Sequence, residues 1–558
     1  MLTEIIRKHA LRNRKQYGAT NPRSIVGKVI ADFPDAKKDM KTTMGEAARI
    51  CEEVNALSEE ELEEELSKYT FEEKKKEERG LVIPNAEEGK VVTRFPPEPS
   101  GYPHIGHAKA AFLDYELAKR YGGRMLLRFD DTNPEKEKPE YVDAIKEGLE
   151  WLGISCDGEP TYTSDNMEKF YSYAENLIAA GKAYVCTCPS EKVKEGREHG
   201  RPCACRALIP EEQKSRWKKM LEGSYGGGEA VLRYMGDLAS ANTALRDPTL
   251  FRIILFAHYR QGEQFRVWPS YDFAGPIMDS TEGVTHALRT KEYELRKPLY
   301  FAILRDLGLR EPELVEFARL SIKNTKVGKR HIIPLVKGGL VHGWDDPRLP
   351  TLRGLRRRGI LPDAIRNFVL SFGLKKSESE PGWSRLLTEN RKLLDPVAPH
   401  YFFVPNPVKV MVEGAPKRTA KMKVHPNKDE HREYPVSETF YLPRAEIEGM
   451  KEGEVFRLKD LYNVRIIENM DELKAGYAGE ELREGKKLQW VSEPLACEIW
   501  KPGDLFLNGE YNPESMDVEK GYAEKAVLGL EPGAMVQFER YGFCRLDSKE
   551  PLRFIYSC

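Results

Sequence analysis

The stretch from Val91 to Gly153 limits the possible folds more than any other. Short apolar runs, VVTRF and RMLLRF, alternate with the amphipathic segments AKAAFLDYELAKRYG and YVDAIKEGLEWLG. Such strand–helix alternation specifies a parallel sheet whose consecutive strands are joined by crossover helices. Ligands of these sheets bind beyond the C-terminal ends of the strands. Here the first strand end enters a Pro/Gly-rich turn, RFPPEPSGYPHIGH, that opens the first helix. His104 and His107 are three residues apart, so both imidazoles fall on one helix face, and Gly106 leaves room between them. A helix N-terminus already offers free N–H groups and the positive end of its dipole to an anion. Two added ring N–H donors can stabilise negative charge growing on a phosphoryl group without serving as base or nucleophile. The plainer alternative is two surface histidines at the start of an amphipathic helix.

A chain of 558 residues exceeds one hydrophobic core and suggests about three to five domains. Its 40% hydrophobic and 32% charged residues describe a soluble protein, and no apolar run approaches the ~20 residues of a membrane span. MLTEIIRKHALRNRKQYG lacks the apolar core of a signal peptide, so a cytoplasmic location is expected. A net charge of −1 excludes a globally basic coat for nucleic acid and directs attention to local patches. One lies between Lys323 and Arg358, where ten Lys/Arg face only Asp345 and Asp346. Its Arg356-Arg357-Arg358 triplet is expected to contact phosphate; the alternative is a solvated helix face.

Nine cysteines give no dense disulfide framework and fit a reducing compartment. Cys186, Cys188, Cys203 and Cys205 nevertheless form CTC and CAC pairs around a short excursion that contains His199. Four thiolates there could hold zinc tetrahedrally, or remain reduced, partly buried thiols.

The run RFPPEPSGYPHIGHAKAAFLDYELAKRYGG followed by MLLRFDDTNPEKEKPEYVDAIKEGLEWLGI, then YDFAGPIMDSTEGVTHALRTKEYE and LVHGWDDPRLPTLRGLRRRGI, resembles class I aminoacyl-tRNA synthetases. Within them it is similar to the branch shared by the glutamyl and glutaminyl enzymes, over roughly residues 91–558. The N-terminal helical extension matches the archaeal-type glutamyl enzymes. The resemblance implies an α/β multidomain protein, with a Rossmann-type catalytic domain in two halves at 90–164 and 266–330. An inserted acceptor-end-binding domain would occupy 165–265, a helical connecting domain 331–395, and anticodon-binding β-barrels 396–558, with the helical extension at 1–89. FEEKKKEERG reads as an exposed charged helix end or linker within that extension, and bacterial relatives can carry zinc in the corresponding insertion, on different ligands.

The implied reaction joins an amino-acid carboxylate to the α-phosphorus of ATP and then passes the aminoacyl group to the terminal ribose of tRNA. Its first step needs positioning and charge neutralisation. By resemblance, His104, Gly106, His107 and Lys329 carry that step. Lys329 belongs to KVGKR, which stands where the family has KMSKS, with Gly328 and Arg330 departing from the pattern. Glu98, Pro99, Ser100, Thr290, Arg319, Leu320, Val327 and Gly328 are expected to border ATP. Magnesium is expected with the ATP phosphates, without an assigned protein site. Arg94, Tyr271 and Arg289 match positions that read the amino acid, and Asp130 matches the one that takes its ammonium. Two guanidinia and one carboxylate balance L-glutamate charge for charge. The glutaminyl enzymes have a neutral cysteine at the position of Arg289, so a glutaminyl activity is the nearest rival; the alternative for Arg289 is a structural ion pair with Glu292 or Glu294. Gly275 departs from both branches, which carry a side chain there. A monomer acting on tRNA-Glu, or on tRNA-Glu and tRNA-Gln, is the expected enzyme. A tRNA-binding paralogue without catalysis and a nucleotidylyltransferase are the remaining alternatives.

Overall fold

The computed structural model describes residues 2–17, 19–69, 81–469, 473–482 and 484–558, so the FEEKKKEERG segment lies outside the described residues. Two compact units divide the chain at Arg79/Gly80.

The first unit consists of helices α1 (Leu2–Tyr17), α2 (Pro22–Asp32), α3 (Met40–Ala56) and α4 (Glu59–Ser67). Asn21, Asp39 and Ser58 cap the last three by accepting from the backbone N–H three residues on, which satisfies donors a helix start leaves free. The three- and four-residue spacing of Ile6, Ala10, Ile25, Val29, Ala47, Ile50 and Val54 brings them into one core. Leu81 and Ile83, read from sequence as part of the extension, instead pack in the second unit against Val91, Leu113, Leu117 and Leu288.

The second unit begins with the expected alternation. Strand β1 (Val92–Phe95), helix α5 (Ile105–Arg120), β2 (Arg124–Phe129), α6 (Pro139–Trp151) and β3 (Thr161–Tyr162) form a parallel sheet in the order β1-β2-β3. Arg94 stands opposite Leu126 and Phe95 opposite Leu127. Phe95, Phe112, Met125, Leu127 and Phe129 are buried between sheet and helices. Gly123 is required at the α5–β2 turn, because a Cβ there would lie 1.9 Å from the carbonyl oxygen of Val91.

After β3 the chain leaves the sheet. Helix α7 (Met167–Ala179), β4 (Ala183–Cys186), α8 (Ser190–Glu198), α9 (Pro210–Leu221), β5 (Val231–Tyr234), β6 (Thr249–Ile253) and β7 (Val267–Pro269) build an antiparallel sheet in sequential order. Its core continues into Phe273, Ile277 and Met278 of α10 (Tyr271–Thr281). The insertion is therefore packed on the helix that re-enters the parallel layer. Strand β8 (His286–Thr290), helix α11 (Lys297–Asp306) and β9 (Glu313–Phe317) complete that layer as a parallel pair. Thr285 fixes β8 beside β1, its N–H donating to Val92 O at 2.9 Å and its Oγ1 accepting from Val92 N at 2.8 Å.

Helices α12 (Lys329–Lys337), α13 (Leu352–Arg358), α14 (Pro362–Leu370) and α15 (Trp383–Leu394) follow. The arginine triplet on α13 is not a free phosphate patch. Arg357 makes a two-pronged pair with Asp547 at 2.9 Å on both arms, Arg356 reaches Glu147 at 3.3 Å, and Arg358 is buried. These cations join the helical segment to α6 and to the C-terminal sheet.

Beyond His400 the chain is almost entirely strand, in barrel-like sheets of seven and six strands. Strands 400–401 and 403–405 belong to the seven-stranded sheet, whose other strands lie between 494 and 556, while the intervening chain builds the six-stranded one. Leu505 and Phe506 of this region pack on Ile332 and Leu335 of α12, and Asn324 donates to Asp504 at 2.7 Å. Among the described residues no helix is long and apolar enough to cross a membrane.

Candidate active site

The helix α5 N-terminus is built by its own histidines. His104 is the cap, and its Nδ1 accepts from Gly106 N at 3.0 Å, while Nδ1 of His107 accepts from His104 N at 3.1 Å. Both Nδ1 atoms are acceptors, so in the neutral rings the proton sits on Nε2. Burial pushes both imidazoles down, aided by the Lys329 charge: His104 falls well below its ordinary value and His107 to about 4. They are neutral near pH 7 and act as paired Nε2–H donors, not cations. The rings stand 4.0 Å apart, and a Cβ on Gly106 would lie 2.8 Å from the His104 ring.

Lys329 opens α12 and comes to the same place. Its Nζ donates to Ser100 Oγ, and its alkyl chain crosses Gly101, where a Cβ would lie 2.7 Å from Lys329 Cε. His104, His107, Val327, Gly328, Lys329, Ser100 and Glu98 line one cavity of about 200 Å³. Residues more than 200 positions apart in sequence thus converge on a single hollow whose imidazole and lysine donors are suited to an anion. Arg330 is exposed and bonded to its neighbour His331. Pro99 is buried and contributes its carbonyl to Lys138 N at 3.1 Å.

Glu98 and His107 also border a second cavity of about 420 Å³, which holds Asp130, Tyr271, Arg289, Thr290, Gly275 and Arg252. Asp130 Oδ1 accepts from Arg128 at 2.9 Å and from Thr163 at 2.9 Å, leaving Oδ2 buried without a partner. Arg289 is 7% exposed, and its Nε and Nη2 have no partner. It lies over the faces of Tyr300 at 4.4 Å and Tyr271 at 5.1 Å. The ion pairs considered from sequence belong to others: Glu292 pairs with Arg319 at 3.1 Å and Glu294 with Lys376 at 3.5 Å. A buried acceptor and a buried guanidinium, each lacking a protein partner beside one cavity, have the chemistry to receive a group bearing both signs.

Arg94 is placed differently from the sequence expectation. It is fully buried, pairs with Asp279 at 2.9 Å and donates to Leu288 O at 2.8 Å, and it does not line the cavity. Strand β1 points it under the sheet, where Asp279 also takes Arg128 at 2.9 Å and the Tyr300 hydroxyl at 2.9 Å. Burial raises the Asp279 carboxyl, but Arg94 and Arg128 outweigh this and hold it far below its ordinary value. The second guanidinium on the wall is Arg252 of β6, held by Thr132 O at 3.1 Å. Its only signal in the sequence is a lone arginine in the apolar run LFRIIL. Arg319 and Leu320 line a neighbouring hollow of about 510 Å³ with Lys109, separate from the cavity of Thr290.

A buried acid group behind the cavity was also not foreseen. Asp131 accepts from Ser164 N at 2.8 Å and Tyr259 OH at 2.9 Å. His258 Nε2 lies 3.4 Å from Glu137 and 3.8 Å from Asp131. This group ties the RFDDTNP loop to the insertion. In the insertion itself, Cys186 and Cys203 sulfurs are 3.8 Å apart, those of Cys188 and Cys205 3.9 Å, and all four lie within 4.8 Å of one another. These distances are far beyond a disulfide bond, and Arg216 donates to Cys205 Sγ at 3.3 Å. His199 stands outside the four-sulfur group.

Burial holds the Glu137 carboxyl up at about 8, against an ordinary 4.5 in the unfolded chain. Between those values the folded protein keeps a proton that the unfolded chain releases, so stability falls as pH rises, by at most about 1.4 kcal/mol per pH unit. Glu137→Gln should match wild type at pH 4.5 and gain on it progressively toward pH 8. Thermal melting of both proteins across that range checks this; a constant Tm difference at every pH would show that the carboxyl does not titrate there.

Residues 90–396 match the model for tRNA synthetases class I (E and Q), catalytic domain. Residues 398–478 and 487–547 match two models for the anti-codon binding domain of the same family. A glutamate–tRNA ligase of Nitrosopumilus maritimus is 43% identical over 99% of this chain and 98% of that protein. Those of Korarchaeum cryptofilum and Pyrococcus abyssi are 39% and 42% identical, over 99% and 97% of this chain and 99% and 97% of their own lengths. With its catalytic and anticodon-binding parts both matched, the chain belongs to the class I tRNA synthetases of the E and Q group.

Proposed function

We propose that the chain is a glutamate–tRNA ligase, working in the cytoplasm as a monomer. It activates L-glutamate with ATP to glutamyl-adenylate and transfers the glutamyl group to the 3′-terminal ribose of tRNA-Glu. The observation that carries this reading is the buried Arg289, with two nitrogens free toward a cavity that also presents Asp130. Glutamate brings two carboxylates and one ammonium. Arg289 takes the side-chain carboxylate, Asp130 the ammonium, and Arg252 the end of the molecule that reacts. Glutamine would leave Arg289 facing a neutral amide, with a buried charge uncompensated. The archaeal relatives that match over the whole chain are glutamate–tRNA ligases, which supports the same choice.

In the first step a glutamate carboxylate oxygen attacks the α-phosphorus of ATP, and pyrophosphate leaves with the electron pair of the broken P–O bond. His104 and His107 donate Nε2–H bonds to the phosphoryl oxygens as charge develops, and Lys329 holds the departing pyrophosphate across the 200 Å³ hollow. Glu98, Ser100, Val327 and Gly328 border the phosphates there, and Thr290 borders the adenylate from the amino-acid side. Magnesium accompanies the ATP phosphates when bound. In the second step a ribose hydroxyl of the tRNA terminus attacks the activated carbonyl and AMP leaves. Whether tRNA-Gln is also a substrate is answered by charging both purified tRNAs with glutamate.

Arg289→Cys should lower kcat/KM for glutamate by roughly two to four decades, since loss of a paired buried charge costs about 3–5 kcal/mol. KM for ATP and tRNA affinity should hold. The check is kcat/KM for glutamate and glutamine in both proteins, and an unchanged ratio would remove Arg289 from amino-acid recognition. Lys329→Ala should cut adenylate formation by about 10²-fold or more while tRNA binding persists. Near-normal ATP–pyrophosphate exchange, measured with tRNA present, would remove the KVGKR assignment.

We also infer that Cys186, Cys188, Cys203 and Cys205 hold one zinc ion. Tetrahedral zinc with Zn–S of ~2.3 Å sets sulfurs about 3.8 Å apart, which fits the observed 3.8 and 3.9 Å pairs. The ion would cross-link the CTC and CAC loops of the insertion and takes no part in adenylate chemistry. Metal analysis should find close to one zinc per chain. Cys186→Ser should lose it together with hydrogen-exchange protection across 183–207. A metal-free wild type, or unchanged protection in the variant, would leave four ordinary thiols.

A further inference from the structure

Gly275 sits inside helix α10, buried, with its side-chain direction toward the amino-acid cavity. Its backbone is not in the left-handed region, so no positive φ calls for glycine there. A Cβ built at this position would lie 3.1 Å from Nη2 of Arg289, and 3.8 and 3.9 Å from ring atoms of Tyr271. The ring contacts are ordinary, whereas the guanidinium contact is tighter than nine in ten real Cβ contacts, so the fork would have to give by a few tenths of an ångström. Nη2 is also one of the two Arg289 nitrogens that have no partner. The missing Cβ therefore faces the donor that is left free for a ligand.

Arg289 has little freedom to retreat. Its guanidinium lies over Tyr300 at 4.4 Å, and the Tyr300 hydroxyl is anchored on Asp279 at 2.9 Å. On the other side it lies over Tyr271 at 5.1 Å. A side chain at 275 would both push the fork off these rings and cover Nη2 with an apolar group, leaving a buried donor with neither protein nor ligand partner.

We propose that Gly275 is a specificity-determining position: lacking a Cβ, it seats Arg289 and keeps Nη2 open to the side-chain carboxylate of the amino acid. The inference rests on the glutamate reading given above. Gly275 is a positioning residue and itself touches no reacting atom. A competing account is conformational. Pro276 follows, and a proline disfavours helical backbone in the residue before it through a clash with that residue's Cβ, so glycine could serve only to admit Pro276 into the helix.

The experiment is ATP–pyrophosphate exchange with tRNA present, for Gly275→Ala and Gly275→Val, each alone, with Pro276→Ala, and with Arg289→Gln. Gly275→Ala should lower kcat/KM for glutamate on the order of tenfold. Gly275→Val, whose two added methyl groups demand a larger displacement, should lower it by up to about 10²-fold, the loss a 1 Å misplacement can cause, with KM for ATP unchanged in both. The losses should persist with Pro276→Ala. With Arg289→Gln they should shrink to about twofold or less, because no guanidinium remains to displace. Restoration by Pro276→Ala would establish the conformational account and overturn the proposal. So would equal losses with and without Arg289, or wild-type kinetics in the folded Gly275→Val protein. Thermal melting verifies folding, and Gly275→Ala carries the test should the valine variant not fold. Absence of glutamate-dependent exchange in wild type would instead sink the glutamate reading.

Discussion

The carboxylate of Asp279 is the interaction on which the catalytic layer depends. It is fully buried on α10 and pairs with Arg94 of β1 and Arg128 of β2, each itself buried. Arg128 in turn reaches Asp130 and Glu282. Such a network stabilises only when every charge has a partner, and removal of one member costs about 3–5 kcal/mol. It joins two adjacent parallel strands to the helix that re-enters from the insertion. The same carboxylate holds Tyr300, and Tyr300 supports Arg289. A buried ion network thus reaches, through Tyr300, the guanidinium that borders the cavity.

From this base the site divides its work between two adjoining cavities. One gathers neutral imidazole donors at a helix start with a lysine from a distant loop, an arrangement suited to developing phosphoryl charge. The other carries side chains of opposite charge on its walls. They meet at Glu98 and His107, where carboxylate and α-phosphorus must come together. The loop bearing Lys329 is bonded at Lys326 to the carbonyl of Gly509, and Asn324 to Asp504. Lys329 is therefore mechanically continuous with the C-terminal sheets that match anticodon-binding domains.

Much of this was legible in the amino acids. The strand–helix alternation after Val91, the helix start at His104, the helical stretch from Lys329 and the change to strand beyond His400 all follow from local periodicity and turn residues. The tautomers of the two histidines could also be anticipated, because cap geometry is local. The convergence of KVGKR on His-x-Gly-His followed only from resemblance. Arg252, Thr163 and the Asp131–Glu137–His258 group were not found, since each meets its partners across the junction of insertion and sheet.

The sequence by itself determined the order of elements and the chemical types available to the site, because these depend on neighbours within a few residues. Tertiary structure decided which of several chemically equivalent arginines does what. Arg94 went beneath the sheet to Asp279, the α13 triplet went to Glu147, Asp547 and the interior, and Arg289 was left open beside Gly275. A guanidinium is the same group at every position; its role is set by which buried carboxylate reaches it first, and that is a matter of packing between segments far apart in the chain.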